Sequence, residues 1–133
     1  MKNLLGILFF LFFVFCSYST KAQEVHLDTI FTVVDKMPEP TEGYANFYKY
    51  LSENIYYTQK ALERKIQGYV FVQFVVDEKG ILTNPKILKG LGFGLDEEVL
   101  RVFANSPPWQ AGEQDSKNVK VKMTFSIIFK LPK

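Results

Sequence analysis

The chain has 133 residues, with 16 Lys and Arg against 14 Asp and Glu, one histidine and one cysteine. This length suits one domain with a single core, and the near-neutral charge gives no support to nucleic-acid binding. One histidine and one cysteine offer neither a convincing nucleophile–base pair nor a zinc site. We therefore expect no enzyme activity, no metal and no cofactor.

Residues 1–22 have the three-part layout of a secretory signal peptide. Lys2 gives a basic start, Leu4–Cys16 is an uninterrupted apolar run, and Thr20 and Ala22 are small residues just before a cleavage site. As a helix, the apolar run would span about 20 Å, short of the roughly 30 Å hydrocarbon core of a membrane. We expect cleavage after Ala22 and export to the periplasm, which leaves 111 residues without a cysteine.

Residues 23–40 are expected to be extended or irregular. Ile30–Val34 could form a short strand, but Pro38 and Pro40 would end it quickly. His26 stands alone beside the expected cleavage site, and a single histidine in a chain terminus is expected to be inert.

Residues 41–133 should form the folded domain, which begins with a helix. Apolar side chains recur at helical spacing, and Thr41 is a candidate N-cap. The apolar face consists of Tyr44, Phe47, Tyr48, Leu51 and Ile55. We expect Tyr57–Lys65 to add a short helical turn with Ala61 and Leu62 facing inward.

A β-hairpin should follow this helical region. Tyr69–Asp77 alternates between two faces, as a strand does. One face carries Val70, Val72, Phe74 and Val76, and the other carries Tyr69, Phe71, Gln73 and Val75. Asp77–Gly80 has the composition of a turn, because Gly80 can adopt positive φ, so Ile81–Lys89 should fold back as the partner strand. Pro85 has no N–H to donate, which places this partner strand at an edge of the sheet.

The next predicted element is a second helix. Gly90–Gly94 resembles a phosphate-binding loop only superficially, because its glycine spacing and its place after a hairpin do not fit, so we interpret it as a flexible connection. Asp96 is expected to cap the helix, with Glu97 and Glu98 in its first turn and Pro107-Pro108 after its end. The buried face should be Leu95, Val99, Val102 and Phe103.

The last strand has the strictest alternation in the chain. Apolar residues occupy every second position of Val119–Leu131, after Trp109 and an expected turn over Gln110–Ser116. With the hairpin this predicts an α+β domain of two layers, a three-stranded antiparallel sheet with two helices packed on one face. The last strand should pair with the first strand of the hairpin and lie at an edge.

In this order and spacing, the motifs resemble the C-terminal domain of the energy transducer TonB. The resemblance covers roughly residues 41–131, and Asn54-Ile55-x-Tyr57 resembles the segment that leads into that domain. The residues that carry the resemblance, besides the alternating strands, are Gly68, Asp77, Gly80, Leu95, Asp96, Trp109 and Gly112.

The resemblance implies a protein partner. In that family the domain stands in the periplasm and binds outer-membrane receptors, whose short N-terminal segment adds as a strand beside the domain's last strand. Carried over, the binding edge is Lys120, Val121, Lys122, Met123, Thr124, Phe125, Ser126 and Ile127. An exposed strand edge suits such addition, and a homodimer could form along the same edge. The lysines alone have a simpler explanation, as charges that block unwanted edge pairing.

The chain also departs from the family's pattern. The Tyr-Pro of the family becomes Tyr57-Thr58, and its Trp-x-Pro-Gly turn becomes Trp109-Gln110-Ala111-Gly112. Transducers of this family carry an uncleaved anchor and a long proline-rich spacer, which this sequence lacks, so we expect a stand-alone binding module. The alternative is a membrane-tethered energy transducer in which Leu4–Ser17 remains as an anchor.

Overall fold

The computed structural model describes residues 29–133. The predictions for the signal peptide and for His26 lie outside the described residues. Within residues 29–133, every helix is too short or too polar to cross a membrane. In chain order the elements are β1 (Ile30–Phe31), β2 (Glu39–Pro40), α1 (Gly43–Asn54), α2 (Gln59–Glu63), β3 (Gly68–Val76), β4 (Leu82–Lys89), α3 (Leu95–Ala104), β5 (Trp109–Gln110), β6 (Gly112–Gln114) and β7 (Lys117–Phe129).

Three long strands form the main sheet, in which β3 lies between β4 and β7 and pairs antiparallel with both. The register with β7 runs without interruption from Gly68 opposite Phe129 to Val76 opposite Val121. The predicted hairpin is confirmed, and Pro85 lies in β4 at the edge of the sheet. Alternation divides β3 into two faces, and the four residues that face the helices are 0% exposed: Val70, Val72, Phe74 and Val76.

The helices pack against one face of this sheet. In α3 the four predicted inward residues, Leu95, Val99, Val102 and Phe103, are all buried, and α1 contributes Phe47 and Leu51 to the same core. Full burial of side chains of this kind is worth about 1.5–3 kcal/mol each, as an upper bound. The predicted two-layer α+β fold is confirmed, and the described residues include one further short helix, α2, which buries Ala61.

Short strands extend this plan. The strand expected over Ile30–Val34 is shortened to β1, which pairs parallel with β7. The segment Gln110–Ser116, expected to be a turn, contains β6, which pairs antiparallel with β7. β2 and β5 form a separate two-stranded sheet. Strands of two or three residues are too short to show a hydrophobic period, so the sequence does not reveal them.

Three local predictions were wrong. Thr41 is not an N-cap, because its hydroxyl donates to the carbonyl oxygen of Pro108 at 2.8 Å. Asp96 is not the N-cap of α3 either, because the helix begins directly after Gly94 and Asp96 lies in its first turn. Leu62 was expected to face inward but is 39% exposed, since the short helix α2 buries only Ala61.

Candidate functional site

The side chains of β7 divide between two faces. The odd-numbered residues from Val121 to Phe129 face the helices and are buried or partly buried. The even-numbered residues from Lys122 to Ile128 are exposed on the opposite face of the sheet. If the pairing of β7 with β3 were shifted by one residue, the apolar side chains of β7 would face solvent and the polar ones would face the helices.

The backbone of β7 alternates in the same way, and one hydrogen bond fixes which groups point outward. Asp77, directly after β3, donates its N–H to the carbonyl oxygen of Ile81 at 3.0 Å, on the β4 side. Since successive residues of a strand point to opposite sides, Val76 points toward β7, where it is paired with Val121. The odd-numbered residues of β7 therefore bond to β3, and the even-numbered residues direct their N–H and C=O groups to the outer edge.

This outer edge is occupied near the N-terminal end of β7. β1 pairs there with Lys120 and Val121. Among the described residues, no strand pairs with the outer edge of Lys122–Phe129, which we call the open edge. Of the residues predicted to form the binding edge, Lys120 and Val121 are thus already paired. The other predicted residues, from Lys122 to Ile127, lie on the open edge.

A groove of about 320 Å³ lies beside the C-terminal half of the open edge. Tyr48 and Ser52 of α1 and Ile55 directly after it line one side, and residues 126–130 line the other. The ring of Tyr48 lies 5.7 Å from the ring of Phe125, between centroids, so aromatic contacts connect the two sides. Side chains of a strand added at the open edge would therefore meet a mainly apolar surface.

Two tyrosines line this groove, and one of them differs from the sequence-based expectation. The helical period predicts Tyr48 in the core, but the side chain is 55% exposed, because the edge of the sheet ends beneath it. Tyr57 closes the groove, with its ring centroid 5.5 Å from that of Phe129 and its hydroxyl donating to the carbonyl oxygen of Ile66 at 2.8 Å. Burial raises the pKa of Tyr57, so this hydroxyl remains a donor.

An ion pair fixes the end of α1, which carries the groove. Glu98 accepts hydrogen bonds from Arg101 and from the backbone N–H of Tyr56, and Arg101 also donates to the carbonyl oxygen of Asn54 at 2.6 Å. The hydrogen bond from Arg101 lowers the pKa of Glu98 despite the opposing effect of burial. The last turn of α1 is thereby held against α3.

Two motif residues far apart in sequence meet beneath the hairpin turn. Gly80 has a φ of 81°, and its carbonyl oxygen accepts the N–H of Trp109 at 2.8 Å. Asp77 closes the turn by accepting two backbone N–H groups, each at 2.9 Å. The Trp109 ring is 3% exposed and lies 5.1 Å from the ring of Phe47. These residues build the scaffold and do not border the open edge.

Two other motif glycines allow close packing. A Cβ on Gly68 would lie 2.8 Å from a methyl group of Leu91, and a Cβ on Gly112 would lie 2.6 Å from a methyl group of Val121. Real Cβ atoms do not approach so closely. Both positions therefore support the fold.

Asp96 and Leu95 organise the glycine-containing loop before α3. The Asp96 carboxylate accepts the backbone N–H groups of Leu91 and Gly92 at 2.9 and 3.3 Å. Leu95 is 0% exposed and anchors the start of the helix in the core. A carboxylate that already fills this turn of the loop would repel a phosphate, in keeping with the interpretation of the loop as a connection.

The chemistry offered by the site is that of a peptide-binding edge. It combines outward backbone donors and acceptors with an apolar groove, a combination that suits an added strand. In the part of the chain that the structure describes, no three His, Cys, Asp or Glu side chains come together as metal ligands.

The fold and the site together define a class of protein: a two-layer α+β domain whose last strand presents an open edge. Residues 53–131 match the family model described as Gram-negative bacterial TonB protein C-terminal. The chain belongs to this family, and the resemblance found in the sequence is confirmed.

The chain is also similar to solved structures. The NMR structure of the Helicobacter pylori TonB C-terminal domain is 22% identical, with a TM-score of 0.51, and the match covers 67% of this chain and 80% of that one. The solution NMR structure of the Pseudomonas aeruginosa TonB C-terminal domain is 25% identical, with a TM-score of 0.47 and coverage of 59% and 79%. The first likeness shows a common fold. No curated protein matches the sequence significantly.

Proposed function

We propose that this domain binds an extended segment of an outer-membrane receptor, or of another envelope protein, by β-strand addition at the open edge. C-terminal domains of the TonB family interact with outer-membrane receptors in TonB-dependent transport, which supplies the class of partner. The observation that carries the proposal is the outer edge of Lys122–Phe129, which has no strand partner among residues 29–133. The domain acts as a binding module and catalyses no reaction.

Backbone groups would supply most of the affinity. The even-numbered residues from Lys122 to Ile128 each direct one N–H and one C=O outward, and a net hydrogen bond contributes about 0.5–1.5 kcal/mol. Several such bonds in a row can offset the entropy lost when an extended segment becomes ordered. The centre of the edge, Thr124 and Ser126, carries no charge, and this favours pairing over repulsion.

The groove would then select the partner's side chains. Alternate residues of an added strand face the helix layer, next to Ile127 and Phe129. There they would contact Tyr48, Leu51 and Ile55, so the partner should carry apolar residues at every second position along this part of the segment. The intervening residues remain in solvent.

The place of action follows from the first residues of the sequence. The basic start, the apolar run and the small residues before Ala22 support export to the periplasm and release from the membrane. In this form the module is a binding partner without a tether. A tethered transducer would instead retain the apolar run, and the two forms differ in the mass of the purified protein.

The test uses proline at a position where only the outward N–H is lost. Thr124→Pro removes an outward donor of β7 and leaves every hydrogen bond to β3 in place, because Thr124 is even-numbered. Thr124→Ala is the matched control, since it shortens the same side chain and retains the N–H. We expect Thr124→Pro to weaken the capture of outer-membrane proteins from envelope extract by about tenfold or more, and Thr124→Ala to behave as wild type.

Phe125→Pro serves as the structural control. Its N–H points to β3 and its ring packs against Phe47, so this variant should lose stability as well as binding. Circular dichroism separates the two cases. If Thr124→Pro is folded and still captures the same proteins as wild type, strand addition at the open edge is wrong. Sedimentation of wild type and Thr124→Pro shows in addition whether two copies pair along this edge.

A further inference from the structure

The face of the sheet that the helices leave uncovered has a defined composition, which the cross-strand register gives directly. Residues paired across antiparallel strands share a face, so the partners of the outward β3 residues belong to it. In rows across the sheet this open face consists of Ile128 and Tyr69; Ser126, Phe71 and Lys89; Thr124, Gln73 and Lys86; and Lys122, Val75 and Thr83. Within the last row Val75 is buried, at 7% exposure, beside the exposed Lys122. With strands about 4.8 Å apart and rows about 6.8 Å apart, it measures about 10 by 20 Å.

Positive charge is concentrated in the sheet layer. The strands β3, β4 and β7 contain no Asp or Glu, whereas β4 has two lysines and β7 has three. The three helices hold five acidic and three basic side chains. Neither ion pair found within residues 29–133 involves Lys86, Lys89 or Lys122. The open face is therefore basic, although the chain as a whole is close to neutral.

At the end of the open face formed by Tyr69, Phe71 and Ile128, the surface is aromatic and aliphatic. Tyr69 is 52% exposed and Ile128, its direct cross-strand partner, is 46% exposed. The rings of Tyr69 and Phe71 lie 6.3 Å apart, so they form one continuous surface along the central strand. Lys89 of β4 lies directly beside Phe71, and Lys86 of β4 and Lys122 of β7 lie in the following rows of the same face.

We propose that the open face docks onto a bilayer surface rich in anionic phospholipid. Tyrosine and other amphipathic rings favour the depth of lipid headgroups, and lysines beside them are attracted by anionic headgroups while their aliphatic stems cover apolar surface. A patch without acidic side chains matches an anionic surface in charge. The proposal does not depend on strand addition at the open edge, but it is compatible with it. A strand added beside β7 would extend the sheet in its own plane and leave the open face in contact with lipid.

The test measures binding to vesicles with the chain that begins at Gln23. This form contains the entire core, which draws its residues from Phe47 to Phe129, and it excludes the apolar run that would bind lipid by itself. We expect sedimentation with vesicles of equal parts phosphatidylglycerol and phosphatidylcholine, and none with phosphatidylcholine alone. Binding should weaken as salt is added.

Two triple variants with the same change in charge provide the comparison. Lys86→Gln, Lys89→Gln and Lys122→Gln together should lower the partition coefficient by about a hundredfold, since each lysine near an anionic surface contributes about fivefold. The matched control replaces three exposed lysines outside the open face, Lys49, Lys60 and Lys79, by glutamine and should bind as wild type.

A label reports which face touches the lipid. The chain from Gln23 has no cysteine, so a single one can carry an environment-sensitive dye. A dye on Thr124→Cys should move to a less polar environment on anionic vesicles, and a dye on Lys49→Cys should not. Three results would each overturn the proposal: equal loss of binding by both triple variants, absence of binding by wild type, or a response of the dye at Lys49 alone. The proposal would also be wrong if the open face bound an acidic protein and did not bind lipid.

Discussion

Substitution of Gly80 by alanine tests the contact that joins the hairpin turn to the segment before the last strands. Gly80 has a φ of 81°, and a Cβ at this position would lie 1.8 Å from the carbonyl oxygen of Trp109 and 2.8 Å from its carbonyl carbon. Both are backbone atoms, so no side-chain rotation can relieve the overlap. The N–H of Trp109 also donates to Gly80, and the two segments cannot separate without loss of this bond.

The expected destabilisation combines three effects. A left-handed conformation costs about 1–2 kcal/mol for a residue with a Cβ. The lost hydrogen bond between Trp109 and Gly80 adds about 1 kcal/mol. Displacement of the Trp109 ring from Phe47 and Phe74 resembles overpacking of a core, for about 1–3 kcal/mol more. The total, about 3–6 kcal/mol, is a large part of the stability of an ordinary domain.

Gly92→Ala is the matched control, because Gly92 has a φ of 74° and a Cβ added there would meet no other atom within 4 Å. Gly92→Ala should therefore show only the conformational strain of about 1–2 kcal/mol. Each kcal/mol lowers the melting temperature by about 4–8 °C, so Gly80→Ala, with its larger loss, should lower it by about 15 °C or more. Urea unfolding followed by circular dichroism measures both. If the two variants lose the same stability, the close approach of Gly80 and Trp109 is not what requires glycine in the turn.

Three further predictions concern the helix layer and the N-terminus. Since Arg101 lowers the pKa of Glu98, the charged pair stabilises the fold above pH 4.5, and this effect is lost as the pH falls from 4.5 through the lowered pKa of Glu98. Glu98→Gln should therefore melt below wild type at neutral pH, and the difference in melting temperature should shrink as the pH is lowered toward about 3. An unchanged difference at both pH values would contradict the assignment. Ser52→Phe should fill the groove and weaken partner capture without loss of helix. Lys49→Phe, on the exposed side of α1, should leave partner capture unchanged. Equal effects of the two variants on partner capture would exclude the groove from binding. Mass spectrometry of protein purified from the envelope should show a mature N-terminus at Gln23, and retention of the preceding residues would favour the tethered form.

The sequence predicts the long elements well, because long elements repeat their hydrophobic pattern. The two faces of β3 and the inward face of α3 follow from periods of two and 3.6 residues, and the burial of Phe103 confirms the inward face of α3. Local capping rules were less successful. Thr41 and Asp96 both have side chains suited to a cap, but their hydrogen-bond partners lie in other segments, and a helix-start pattern contains no information about those segments.

The candidate site was predicted in part, for a related reason. The alternation of Val119–Leu131 and the family resemblance identify the strand, and the pairing with β3 places it as predicted. The sequence did not predict that β1 pairs with Lys120 and Val121. The paired residues are about 90 positions apart, and a strand of two residues is too short to show a hydrophobic period. The groove was missed because Tyr48 fits a buried helical stripe equally well; only the position of the sheet edge leaves it exposed.

The placement of β1 limits what the open edge can bind. β1 lies on the same side of β7 as an added strand would, so a segment that pairs beyond Lys122 meets β1. β1 is paired over only two residues, and Ile30 remains 43% exposed. The chain after β1 is held more firmly. Val34 is only 8% exposed, and two backbone hydrogen bonds join Lys36 to Glu113. Loss of the β1 pairing would therefore leave these contacts intact and lengthen the edge. A short partner segment fits the edge as it stands, and a longer one must compete with two residues of the protein's own chain.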